Sequence, residues 1–301
     1  MGLFNRSGSA RVSVTPDVVR PRQSVTATVT TDKPLSKVSS AKLEWGYTNF
    51  YRYHWAGRAD SAAAAANDSL LMVGEVGTNY GGERDTEDWV CVDRVDVPIA
   101  AGEFAGTQAS FKVPSWAPGS SQEVAQWACR LVVARGGRDV DERGVFTVVI
   151  GRDDVQVEDE PQQRTGGDGE TALDIVLPSL LHCAGETISG QVTLTPASDM
   201  SDGALSIYWG RRRISHPLER APALGGGGKS GDSIKLGKGI PLRNGVPVTV
   251  PFAVPLPADA PPTSSAVHSS LEWFLEATLT YAKWTQGIEQ VRRPIVVVNA
   301  P

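Results

Sequence analysis

Long apolar runs are missing from this chain. No stretch approaches the ~18 consecutive apolar residues of a membrane-spanning helix, so a helical span is not expected. Cysteine is scarce: Cys91, Cys129 and Cys183 stand 38 and 54 residues apart. An odd count with no CxxC pair gives neither a zinc set nor a disulfide framework. Cys129, inside an apolar run, reads as a small core side chain. Thiols used this way suit a reducing compartment. Positive charge is not in excess either. Residues 1–150 carry 16 Lys/Arg against 17 Asp/Glu, and residues 173–301 carry 11 against 10. The net charge of −5 comes from residues 151–172, which carry 2 against 7. Neither half has the basic balance that holds nucleic acid by counterion release, so no nucleic-acid partner is expected. The start, MGLFNRSGSARVSV, lacks the ~7–15-residue apolar core of a secretory signal. Arg6 stands where a myristoylation site wants Ser or Thr. These absences together predict a cytoplasmic protein.

Helical periodicity is nearly absent as well. The best helical candidate is the alanine run after Ser61, too short to hold alone. What is present is glycine (31) and proline (20), the punctuation of many short strands. Period-2 alternation marks strands at 11–14 and 25–30, and again at 173–177 and 185–194. The chain also repeats itself. Phe111-Lys112-Val113-Pro114, a Pro/Ser-rich stretch and Trp127 heading an apolar run match Phe252-Ala253-Val254-Pro255, a second Pro/Ser-rich stretch and Trp273. Each copy closes on a β-branched strand, Val145 to Ile150 and Ile295 to Val298. A repeat of this length fixes architecture before any short motif does. The expected fold is all-β: two tandem immunoglobulin-like sandwiches, 1–150 and 173–301, joined by an acidic linker at 151–172. Insertions at 54–88 and 211–232 exceed a minimal sandwich and are natural places for contacts or for tolerated excess.

Chemistry-bearing motifs mostly fail on inspection. Gly225 to Ser230 resembles a phosphate loop, but Ala223 replaces its first glycine and a turn into a strand follows where a helix is required. The four histidines (His54, His182, His216, His268) have no metal-ligand spacing. Adjacent His182 and Cys183 point to opposite faces of a strand, against a dyad. No catalytic, cofactor or metal set is expected. Arg211-Arg212-Arg213 is the densest basic cluster; in a loop it would meet an acidic protein, a phosphate or a lipid head group, leaving peripheral membrane contact open. The competing reading is a solvated loop that neutralises the chain's own carboxylates. Trp127 and Trp273, at equivalent positions, read as core. Trp55 and Trp116, in loop-like context, are the better candidates for a surface contact.

A first strand, a Pro-bearing turn and Gly185-Glu186-Thr187-Ile188-Ser189-Gly190-Gln191-Val192 resemble the opening of an arrestin-type domain. Phe252 to Pro255, Ser269 to Tyr281 and Pro294 to Val298 resemble its close. The first half matches more loosely, with Arg22 where a glycine is typical. MGLFN is similar to the start of bacterial sporulation-control proteins of this fold. The resemblance implies two joined sandwiches and a non-enzymatic adaptor or scaffold that engages a protein partner. Two other readings stay open: a carbohydrate-binding sandwich using Trp55 and Trp116, and an assembly subunit that self-associates by its sheet edges.

Overall fold

The computed structural model describes residues 8–55, 82–216, 227–283 and 287–299. The alanine run after Ser61, most of the 54–88 insertion, Arg220 and the start of the glycine run at Gly225 lie outside the described residues. The described chain is all-β, with one short 3-10 turn at Arg152–Asp154.

Nine strands make the first sandwich: β1 (Ala10–Thr15), β2 (Val18–Val19), β3 (Ser24–Leu35), β4 (Val38–Trp55), β5 (Gly82–Asp96), β6 (Phe104–Lys112), β7 (Ala125–Arg135), β8 (Val140–Val145) and β9 (Thr147–Val148). One sheet runs β1-β3-β6 and the other β5-β4-β7-β8, with β2 and β9 paired in parallel. The alternation of β3 is visible in its packing: Val25, Ala27 and Val29 are buried while Ser24, Thr28 and Thr30 face out. The core gathers around Trp45, stacked on Phe111 with ring centroids 5.2 Å apart, and Trp127.

The second sandwich holds β10 (Gln163–Gly166), β11 (Thr171–Val176), β12 (Leu181–Cys183), β13 (Thr187–Pro196), β14 (Gly203–Ser215), β15 (Gly228–Ser230), β16 (Ile234–Ile240), β17 (Val248–Pro255), β18 (Ser264–Ser265), β19 (Ser269–Tyr281) and β20 (Ile288–Val298). Its sheets are β11-β13-β17 and β10-β20-β19-β14, the latter extended by β15 and β16 on β14. The pairings echo those of the first half. β1-β3-β6 corresponds to β11-β13-β17, the β4–β7 pair to β14–β19, and the parallel β2–β9 pair to parallel β12–β20. Arg22 takes φ 69°, the left-handed conformation that Gly185 takes at φ 78° at the corresponding turn.

Each Pro/Ser-rich stretch has a definite task. The Trp127 indole N–H donates to the Pro118 carbonyl at 2.8 Å, and that of Trp273 to the Pro261 carbonyl at 3.0 Å. The stretch thereby satisfies the one polar atom of a fully buried tryptophan. The two stretches also meet. A Cβ on Gly119 would lie 2.4 Å from Pro262, a contact only glycine permits.

The sandwiches share a buried seam. Asn49 donates to the Val124 carbonyl (2.8 Å) and to Ser269 Oγ (2.9 Å), and its carbonyl accepts from the His268 backbone N–H (2.7 Å). Ser269 Oγ in turn donates to the Phe50 carbonyl. Leu271 and Val298 of the second half pack into the first core. Residues 151–172, expected as a linker, run along the second sandwich: β10 pairs with β20, and Arg293 holds Asp159 (2.6 Å) and the Glu160 carbonyl (3.2 Å).

Candidate functional site

Arg211, Arg212 and Arg213 lie on strand β14, which corrects the loop expected for them. A strand turns successive side chains to opposite faces, so the three do not act as one cluster. Arg211 and Arg213, only 11% and 12% exposed, reach across the seam. Arg211 pairs with Glu123 at 2.5 Å and lies 5.4 Å over the Trp273 ring; Arg213 pairs with Asp85. Hydrogen bonds from Arg52 and Arg213 hold the Asp85 carboxyl below its ordinary range. These two arginines neutralise the chain's own carboxylates, though not those of the acidic linker. Arg212 faces the other way, half exposed, and pairs with Glu272 at 2.9 Å.

The remaining sequence candidates are scattered. Trp116 is 60% exposed in the connection after β6. Trp55 pairs with Gly82 at the end of the β4–β5 hairpin, within a strand and not the loop expected. His182 is buried while Cys183 faces the other way, and burial pushes the His182 pKa down. Cys129 lies in the core, where burial raises its thiol pKa to about 12. Among the described residues no cluster of His, Cys, Asp or Glu converges on a metal position, and no helix is long and apolar enough to cross a membrane.

Arg212 points instead to a groove on the outer face of the β10-β20-β19-β14 sheet. Its floor is Phe274 and Pro294, paired across β19 and β20. Gly210 stands opposite Phe274 on β14, and a Cβ there would come within 2.3 Å of the ring. The absent side chain is what lets the ring lie against the strand. Arg292 stacks 3.9 Å from the Phe274 centroid. Its Nε and Nη2 donate to the buried Glu276 carboxylate at 3.1 and 2.8 Å. The Tyr208 hydroxyl donates to the same carboxylate; burial first, then that bond, raises its pKa to about 12. Arg212–Glu272 bounds one end of the floor and the Tyr208–Glu276–Arg292 set the other.

The wall is the acidic segment expected as a linker. Val157, Glu158 and Glu160 line the groove opposite the sheet, with Leu180 beside them. The ladder is interrupted here. β10 ends its pairing opposite Arg292 and β12 begins opposite Val296, so residues 293–295 have no partner strand on that side. The Val296 N–H donates outward to the Leu180 carbonyl at 2.8 Å. N–H groups alternate sides along a strand, so the residue two earlier would aim one into the gap. That residue is Pro294, which has no N–H to leave unpaired. The groove's volume is about 280 Å³. That lies just below the range of ~300–1,000 Å³ for small-molecule and cofactor sites, and suits one or two side chains. A second hollow, about 400 Å³, opens beyond Phe274 towards β15.

Sequence reasoning missed Phe274, Arg292, Pro294 and the wall. A usable signal was present: Trp45-Gly46 and Trp209-Gly210 repeat at corresponding strand positions, each glycine marking a close approach.

Comparison with protein families finds no match, and no curated protein matches. Among solved structures, the chain is similar to the sporulation control protein Spo0M from Bacillus subtilis. The identity is 19% with a TM-score of 0.35, over 44% of this chain and 51% of that one. The chain thus spans about half the length of that protein, a distant likeness of fold alone.

Proposed function

We propose that this chain is a non-enzymatic, arrestin-like adaptor or scaffold that binds a protein partner in the cytoplasm, through the groove between the acidic wall and the Phe274–Pro294 floor. The groove is the observation that carries this reading. It joins an apolar floor to charged margins, as partner-binding hollows do. The architecture behind it supports stoichiometric binding: a rigid sheet presents the floor and a tethered segment presents the wall.

The test is affinity capture from native lysate with the full chain as bait. Val157 is 37% exposed, so Val157→Asp alters the wall without touching the core. A stoichiometric partner held by the wild type and lost by Val157→Asp is the expected outcome. One exposed side chain favours a second reading, sugar binding at Trp116. Tryptophan fluorescence that shifts on adding sugars, and no longer does so in Trp116→Ala, would move the site to that loop.

A further inference from the structure

The groove has a charge imbalance that its own residues leave unmatched. Its cations are already engaged, Arg212 by Glu272 and Arg292 by Glu276. On the opposite face of β14, Arg211 and its β15 neighbour Lys229 share Glu123. On the wall, Asp159 is taken by Arg293. Glu158 and Glu160 differ: among the described residues neither carboxylate has an ion pair or a side-chain hydrogen bond, and both line the cavity. Two exposed glutamates without ion partners therefore border an apolar floor and a space of about 280 Å³.

Resting on the reading of this groove as a docking site, we infer that its occupant is an extended segment of a partner protein that brings lysine or arginine side chains next to an apolar one. Charge complementarity selects this chemistry. A basic side chain lays its aliphatic stem over Phe274 and Pro294 and carries its charge to Glu158 and Glu160. An acidic segment meets the same two carboxylates as like charges, and finds the groove arginines already paired. The second hollow, towards β15, lets the segment continue across the sheet face.

The experiment is fluorescence anisotropy on the full chain, with a short labelled peptide alternating lysine and valine and its glutamate–valine counterpart. The expected result is saturable binding of the lysine peptide alone, weakened by added salt. Glu158→Gln/Glu160→Gln should weaken it by about fivefold, the scale of two exposed ion pairs. A matched variant on β5, Glu87→Gln/Asp96→Asn, removes the same charge from exposed positions and should leave binding unchanged. Equal weakening by both variants would reduce the effect to bulk charge and overturn the inference. So would preferential binding of the glutamate peptide; if Val157→Asp abolished that binding, the groove would still stand as a docking site. Saturable binding of neither peptide overturns the inference as well, while partner capture decides the docking reading separately.

Discussion

At the scale of single residues, the two halves solve the same local problem with different side chains, and the difference is measurable. Gly185 occupies the left-handed region at no steric cost, whereas Arg22 occupies it with a Cβ. For an L-residue this costs about 1–2 kcal/mol, against which glycine carries about 0.5–1 kcal/mol of extra unfolded-state entropy. Arg22→Gly should therefore raise stability by about 0.5–1 kcal/mol, read from denaturant midpoints at constant slope. A loss of stability would show that the arginine side chain makes contacts that outweigh the strain. The departure was legible in the sequence, because a glycine is typical at that position of the resemblance. The fate of the arginine triplet was less legible. Three adjacent cations read as one patch, but strand alternation sends Arg211 and Arg213 to Glu123 and Asp85 and Arg212 to Glu272. Their partners lie 60 to 128 residues away in sequence, beyond the reach of local pattern.

At the scale of elements, the repeated Phe-x-Val-Pro, Pro/Ser and Trp pattern proves to be a single device. The stretch turns the corner between sheets and offers a proline carbonyl to the buried indole. Trp273→Phe removes the N–H donor and leaves the Pro261 carbonyl without it, while also opening space in the core. The combined cost should be about 2–4 kcal/mol in chemical denaturation, and Trp127→Phe should cost a similar amount. A cost below about 1 kcal/mol for both would mean that water or repacking replaces the bond. Strand positions were readable because alternation is local. The run from Val145 to Ile150, expected as one strand, divides: Val145 ends β8 and Thr147–Val148 forms β9, paired with β2. The acidic segment is expected as a linker because it has few apolar residues to bury. It is held instead by individual bonds that composition does not reveal: β10 on β20, Arg293 to Asp159, and Gln162 to Asp174 at 2.7 Å. The groove depends on that placement, which is why it could not be found beforehand.

At the scale of the whole molecule, the buried Asn49–Ser269–His268 seam and the Arg211–Glu123 pair join two sandwiches that each have their own core. The seam keeps the first sandwich beside β14 and β19, the strands that carry Arg212 and Phe274. The outer face of the second sandwich is left with the acidic wall as its boundary. If the proposed adaptor reading holds, the groove is presented in one fixed place and its wall carboxylates should touch the partner directly. The most direct test is zero-length carbodiimide coupling in native lysate, which joins carboxylates to amines in contact, followed by mass-spectrometric mapping. The account predicts that Glu158 or Glu160 couples to lysines of another protein. Coupling confined to carboxylates elsewhere, such as those of β5, or to lysines of this chain itself, would contradict it.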